Sequence, residues 1–128
     1  MIFELMSISL YDLLKLNNFE EMKMEFIRRF AIQIFTALVF LKDLSVIHSD
    51  IKPENVLLKS RTKTGIKLID FGTSILDEDE HYTYVQSRYY RAPEVILGHS
   101  YSFPVDMWSA GCLLAELYLG LPIFGGNN

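Results

Sequence analysis

Apolar residues recur at helical spacing over residues 21–44. Ile27, Phe30, Ala31, Ile34, Leu38 and Leu41 lie three or four positions apart and form one stripe. Ile32, Phe35, Val39 and Phe40 fill the other sides of the second half. A helix apolar nearly all round is expected to run into the middle of a core. Earlier, Ser9 precedes Leu10, Leu13 and Leu14, a cap followed by a short helical spacing that Asn17-Asn18 ends. Residues 1–6, apolar apart from Glu4, suit a strand end or a connector. Two short β-like runs follow the long helix, residues 56–58 and 66–69, with the polar residues 59–65 as a hairpin connection. Residues 71–87 show no period, and Asp77-Glu78-Asp79-Glu80 reads as solvated loop. Pro93 opens a short helical turn ending at Gly98. Pro104 precedes a helix over about residues 105–119, with Gly120-Leu121-Pro122 as its stop. No repeat and no low-complexity linker divides the chain, so it reads as one unit.

Composition narrows the class. At 128 residues, 50% hydrophobic and 22% charged, the chain suits one globular domain with a real core. Twelve Lys and Arg against sixteen Asp and Glu leave a net charge of −4, so no nucleic acid or anionic membrane partner is expected. Cys112 is alone, which excludes an internal disulfide and a zinc site built from several cysteines. A reducing, intracellular setting follows as the expectation, with cytoplasm and nucleus both open. Glu4 interrupts the apolar start and no basic residues precede it, so no signal peptide is expected. The charge-free stretches 33–41 and 107–115 are far shorter than a membrane span of about 20 residues. No Lys or Arg follows Arg91.

Candidate chemistry sits where the apolar pattern breaks. His48-Ser49-Asp50-Ile51-Lys52-Pro53-Glu54-Asn55 joins the long helix to a strand, Asp70-Phe71-Gly72 follows the second strand, and Ala92-Pro93-Glu94 lies beyond. Asp50, Asn55 and Asp70 are oxygen-bearing side chains at the ends of elements. Two carboxylates and an amide suit a hard cation such as Mg²⁺. Lys52 beside them favours a phosphate, and the composite points to phosphoryl chemistry. Each piece alone has a plainer explanation: Asp-Phe-Gly as a turn, Ala-Pro-Glu as a helix start, Lys52 as a solvated side chain. Their order and placement argue for the composite.

In these motifs the chain resembles part of a eukaryotic protein kinase. Within that family it is most similar to the dual-specificity tyrosine-regulated (DYRK) kinases. That similarity rests on Phe3-Glu4-Leu5-Met6, on His48-Ser49-Asp50 with Ser where most kinases have Arg, and on the run from Tyr82-Thr83-Tyr84-Val85-Gln86-Ser87 to Glu94. The homeodomain-interacting kinases share much of it. The resemblance implies a kinase-like α+β fold: a mostly α-helical C-terminal lobe with a few short strands, without the N-terminal lobe. Residues 1–128 would then be a partial kinase domain comprising hinge, catalytic loop, activation segment and the following helix. ATP, Mg²⁺ and a protein Ser/Thr hydroxyl become the expected ligands.

By the same resemblance, Asp50 is the base for the substrate hydroxyl and Lys52 steadies the transferring phosphate. Asn55 and Asp70 hold Mg²⁺, and Phe3, Glu4, Met6 and Leu57 surround the adenine. Phe3 and Leu57 remain equally readable as core packing. Tyr84 is the expected self-phosphorylated residue, with Arg88 and Arg91 as its phosphate clamp. The alternatives are a surface aromatic and a substrate-facing basic surface. His48, Phe71, Glu94 and Asp106 are structural. Asp106, in the apolar run Val105-Asp106-Met107-Trp108, either accepts backbone N–H bonds from the loop around His48 and Asp50 or is an exposed acid at a helix start. Glu94 lacks the later Arg that the family pairs with it, and is expected to be a buried carboxylate without a partner.

The 128 residues contain no Gly-rich phosphate loop and no Val-Ala-Ile-Lys strand. The chain alone is therefore expected to transfer no phosphate. The helix over 107–119 is apolar on several sides, so further polypeptide or a partner is expected to cover it. A non-catalytic kinase-like binding module is the alternative reading.

Overall fold

The computed structural model describes residues 2–78 and 82–126; Met1 and the Asp79-Glu80 half of the acidic run lie outside the described residues. Helix α1 spans Leu10–Leu16 and begins with a reciprocal cap. The Ser9 hydroxyl accepts from the Asp12 backbone N–H at 3.0 Å, and the Asp12 carboxylate accepts from the Ser9 N–H at 3.1 Å. Helix α2 spans Met24–Asp43 and buries Ile27, Phe30, Ile34, Leu38 and Leu41. Its other face departs from expectation. Ile32 (67%), Val39 (60%) and Phe40 (62%) are exposed, because α2 packs along one side only, against a strand pair and a later helix.

Strands β1 (Val46–Ile47), β2 (Val56–Ser60), β3 (Lys63–Leu68) and β4 (Ile75–Leu76) make two antiparallel pairs. In the β2–β3 hairpin Val56 faces Leu68 and Leu58 faces Ile66, with a register irregularity between Leu58 and Ser60. Both strands reach further into the polar segment than the apolar runs suggest, since strand pairing needs backbone bonds rather than apolar side chains. Gln33 of α2 covers the outer edge of β3. Its amide donates to the Thr64 carbonyl at 2.8 Å and accepts from the Ile66 N–H at 3.0 Å. On the other edge, Ser7 N–H donates to Leu58 O and Leu58 N–H to Ile8 O, each at 2.8 Å, so the incoming chain runs beside β2. The β1–β4 pair was not visible in the sequence, because two-residue strands carry no period.

Helices α3 (Pro93–Ile96) and α4 (Pro104–Leu119) follow. Helix α4 serves two apolar clusters. Ala110, Leu113 and Leu117 join Phe30, Ile34, Leu10 and Leu14, while Val105 joins Ile47, Ile75, Val85, Val95 and Tyr101. That double duty explains why α4 is apolar on several sides. Part of its surface stays open: Met107, Tyr118 and Leu119 are exposed, and Trp108 stacks on Phe124 at 5.5 Å. Among the described residues, no helix is long and apolar enough to cross a membrane.

Helix α4 ends at Gly120 in the left-handed conformation, φ 78°, where its N–H donates to Glu116 O. A Cβ at Gly120 would lie 1.8 Å from the Phe19 carbonyl oxygen, so the strand of chain after α1 crosses the helix end at backbone contact. Gly120→Ala is expected to lower stability by at least about 2 kcal/mol, from the left-handed backbone and the clash together. Urea unfolding of the two proteins side by side checks this.

Candidate active site

The loop from His48 to Asn55 connects β1 to β2 and is held from below by α4. Asp106, in the first turn of α4 and only 3% exposed, accepts the His48 backbone N–H at 2.7 Å on one oxygen and that of Ser49 at 2.9 Å on the other. The exposed-acid alternative is therefore excluded. Burial pushes the Asp106 carboxyl above its usual range, against the pull of those two N–H groups and of His48. Ser49 adopts a left-handed φ of 61°, which the two clamped amides around it sustain. The His48 ring Nδ1 accepts from the Asp50 N–H at 3.2 Å, which leaves Nε2 to donate to the Ile69 carbonyl at 3.0 Å. Phe71 meets the same ring edge-on at 4.8 Å. Catalytic-loop candidate and Asp-Phe-Gly turn are thus tied together through one histidine.

Asp50 is at the centre of a closed set of contacts. One carboxylate oxygen accepts the Ser87 hydroxyl at 2.7 Å. The other receives the Asn55 amide at 2.9 Å and lies 2.8 Å from the Lys52 ammonium. Lys52 also donates to the Ser87 hydroxyl at 3.0 Å. Burial raises the Asp50 carboxyl, but the bonds from Lys52, Ser87 and Asn55 and the Lys52 charge outweigh it and hold the group below the ordinary carboxylate range. A groove of about 830 Å³ opens beside this cluster, lined by Lys52, Glu54, Tyr84, Ser87, Arg88 and Glu116 among others. A second groove, about 600 Å³ between the start of α2 and the β2–β3 turn, contains none of the candidate residues.

Asn55 and Asp70 flank the open end of the β2–β3 hairpin. Ile69 N–H donates to Asn55 O at 3.0 Å, one step beyond the Val56–Leu68 pair, so Asp70 follows at the next position. Asn55 is buried, and its amide hydrogens go to the Asp50 carbonyl and carboxylate, which leaves its side-chain oxygen as the lone-pair donor. Asp70 is exposed, at φ 63°, with one oxygen accepting the Gly72 N–H at 3.3 Å. Among the described residues, no group of three or more His, Cys, Asp or Glu is arranged to hold a metal by itself. An amide oxygen and one carboxylate do fit Mg²⁺, which keeps most of its shell for water and phosphate.

The adenine candidates lie along the first segment and β2. Phe3 is 78% exposed, so these 128 residues do not bury it. The Glu4 side chain pairs with Lys67, and Met6 and Leu57 are half-buried. Ser9 bridges Leu57, so the segment carrying Met6 runs along the strand carrying Leu57.

In the segment before α3, Tyr84 is 76% exposed and the Arg91 guanidinium sits 4.2 Å from its ring centre. Hydrogen bonding and charge from Arg91, with a smaller contribution from Arg88, pull the Tyr84 hydroxyl down. Arg91 also donates to the Val85 and Gln86 carbonyls at 2.8 and 2.7 Å, whereas Arg88 is exposed. Glu94 corrects an expectation: it is half-buried rather than buried, so water solvates the carboxylate that no described cation meets.

Three contributors escaped the sequence reading. Ser87 and Gln86 lie in an aperiodic stretch that carries no signal of their contacts. Glu116 pairs with the Tyr90 hydroxyl in the interior. Burial raises both groups, and Glu116 holds the Tyr90 hydroxyl higher still. Glu116 did have a signal, a single acid inside the apolar run Cys112-Leu113-Leu114-Ala115-Glu116-Leu117, which demands a donor for the same reason as Asp106.

A clamped loop thus presents Asp50, Lys52 and Asn55 beside an Asp-Phe-Gly turn. The chain belongs to the protein kinase family: the family model described as the protein kinase domain matches residues 1–128. Relatives from the DYRK kinases cover nearly all of it. It is 53% identical over 126 residues to a probable serine/threonine-protein kinase dyrk2 of Dictyostelium discoideum. It is 54% identical to dual specificity tyrosine-phosphorylation-regulated kinase 2 of Drosophila melanogaster and 48% to kinase 4 of that series in Homo sapiens. Each alignment covers 98% of this chain, but only 14%, 18% and 24% of the respective relative. Among solved structures, the crystal structure of a kinase domain superposes with a TM-score of 0.95 at 38% identity, over 98% of this chain and 44% of that one. The α+β kinase-like architecture expected from the motifs is therefore the observed one.

Two outcomes follow from the geometry. Asp106→Ala strands two buried N–H groups and is expected to cost about 3 kcal/mol, with Asp106→Asn costing less because one acceptor survives. Equilibrium unfolding reads both. For Asp50, a folded pKa below the unfolded one means its stabilisation is complete near neutrality and is lost as pH falls through the folded value. Protection of the amides over residues 85–90, taken relative to their intrinsic exchange rates at each pH, should thus be lost only below the ordinary carboxylate range, and Ser87→Ala should move that onset upward.

Proposed function

We propose that this chain supplies the phosphoacceptor-handling part of an ATP-dependent protein Ser/Thr kinase of the DYRK type. The observation that carries the reading is the Asp50 carboxylate, held ionised by Lys52, Asn55 and Ser87 at the head of an open groove. Asp50 already accepts one hydroxyl, that of Ser87, at hydrogen-bonding distance. A substrate Ser or Thr hydroxyl meets the same carboxylate and gives it the proton as the oxygen bonds to the γ-phosphorus. The bond from that phosphorus to the β–γ bridging oxygen breaks, and ADP leaves. A carboxylate with a lowered pKa is a weak base, which suits a proton handed over late, once the forming O–P bond has made the hydroxyl acidic.

Lys52, within reach of Asp50 and Ser87, places its positive charge beside the transferring group. Asn55 and Asp70 hold Mg²⁺, which when bound neutralises the ATP phosphates. Phe3, Glu4, Met6 and Leu57 form the adenine side of the site. Tyr84 is the self-phosphorylated residue, and Arg91 over its ring together with Arg88 receives the phosphate. The 128 residues contain no Gly-rich loop and no Val-Ala-Ile-Lys lysine, so alone they transfer no phosphate. A second reading, a kinase-like binding module, is favoured by the exposed row Ile32, Val39 and Phe40, which a partner would cover.

The full-length protein carrying this segment is expected to phosphorylate a Ser/Thr peptide with Mg²⁺ and ATP, and Asp50→Ala to lower kcat by on the order of 10²–10⁴-fold. Undiminished transfer by Asp50→Ala would sink the assignment. In the same protein, mass spectrometry should find phosphate at Tyr84, absent in Tyr84→Phe and in Asp50→Ala. The 128-residue chain by itself should show no transfer.

A further inference from the structure

Gln86 is 7% exposed and adopts a left-handed backbone, φ 65°, a conformation unfavourable for any residue with a Cβ. Its side chain has no part in the chemistry proposed above, yet it is among the most fully bonded groups in the molecule. The amide nitrogen donates to the Val105 carbonyl at 2.9 Å and to the Ser109 hydroxyl at 2.8 Å. The amide oxygen accepts the Ala92 N–H at 2.8 Å, and the Ser109 hydroxyl in turn donates to the Tyr90 carbonyl at 2.7 Å. The Gln86 backbone carbonyl is taken by Arg91. These bonds fasten one point of an otherwise aperiodic segment to α4 and to the start of α3.

The residue next to that point is Ser87, whose hydroxyl contacts both Asp50 and Lys52. A strained conformation persists only where its surroundings over-determine it, and here the amide's anchors do so. We infer that Gln86 is a positioning residue: its amide, anchored on α4 through Val105 and Ser109, holds the backbone left-handed and so sets the Ser87 hydroxyl on Asp50 and Lys52. Helix α4 then supports the reacting groups from two sides, through Asp106 below the loop and through Gln86 across from it. The effect on rate rests on the kinase reading above; the effect on Ser87 does not.

The experiment is a double-mutant cycle in the full-length protein, with Gln86→Met as an apolar residue of similar length and Ser87→Ala as its partner. Gln86→Met is expected to lower kcat toward a Ser/Thr peptide about tenfold or more, leave the KM for ATP unchanged, and have no further effect in the Ser87→Ala background. Gln86→Gly, which relieves the backbone but lacks the amide, should lose as much as Gln86→Met. Losses that multiply in the double variant, or a Gly variant that retains full activity, would overturn the inference. Amide exchange is the second readout: Gln86→Met should speed exchange over residues 85–90 and leave residues 24–43 unchanged. Ser109→Ala, a milder removal of one acceptor, replaces it if Gln86→Met fails to fold. If Asp50→Ala leaves phosphate transfer intact, the kinase reading fails, and unchanged exchange over residues 85–90 would by itself refute the role of Gln86.

Discussion

The Asp106 carboxylate accepts two consecutive backbone N–H groups, from His48 and Ser49, in the interior of the molecule. Everything placed by the loop that follows depends on that pair of bonds. A buried charge without donors is expensive, and buried backbone donors without acceptors are as well, so each partner compels the other. The result is a loop whose first two amides cannot rotate. From there the chain carries Asp50, Lys52 and Asn55 outward while the His48 ring reaches back to Ile69 and Phe71. Helix α4 can bear the load because its ends serve two separate apolar clusters, and it is anchored between them.

Electrostatic balance shapes the site at every step. Asp50 is surrounded by one ammonium, one amide and one hydroxyl, and remains ionised despite partial burial. Asp106 and Glu116 are pushed the other way, since their surroundings offer mostly dipoles. The reactive candidate is thus held charged while the structural acids carry the strain of burial. Absence of Lys and Arg after Arg91 is part of the same arrangement: the helix that supports the site satisfies its acids with N–H and O–H donors rather than with cations.

The exposed face of α2 marks where this chain's own packing stops. Ile27, Phe30, Ile34, Leu38 and Leu41 meet the core, whereas Ile32, Val39 and Phe40, equally apolar, stay mostly exposed among the described residues. The alignments cover a quarter or less of the relatives named above.

Helices α1, α2 and α4, the β2–β3 hairpin and the stop at Gly120 were legible because each depends on local rules: capping, apolar period and turn chemistry. Asp50, Lys52, Asn55 and Asp70 stood out because polar residues interrupt apolar runs at element ends, and Asp106 because an acid in an apolar run needs a donor. Their mutual contacts were not legible. Ser87 lies 37 positions from Asp50, and Gln86 23 from Ser109, separations at which no local period survives. The β1–β4 pair joins segments far apart for the same reason, and the solvation of Glu94 depends on what the fold leaves open around it. The sequence by itself determined which residue types were available and where elements begin and end, since those follow from neighbours a few positions away. Which hydroxyl meets Asp50, which amides meet Asp106 and which apolar face stays bare were decided only when distant segments packed, because a hydrogen bond or a buried surface exists only between groups the whole fold has brought within reach.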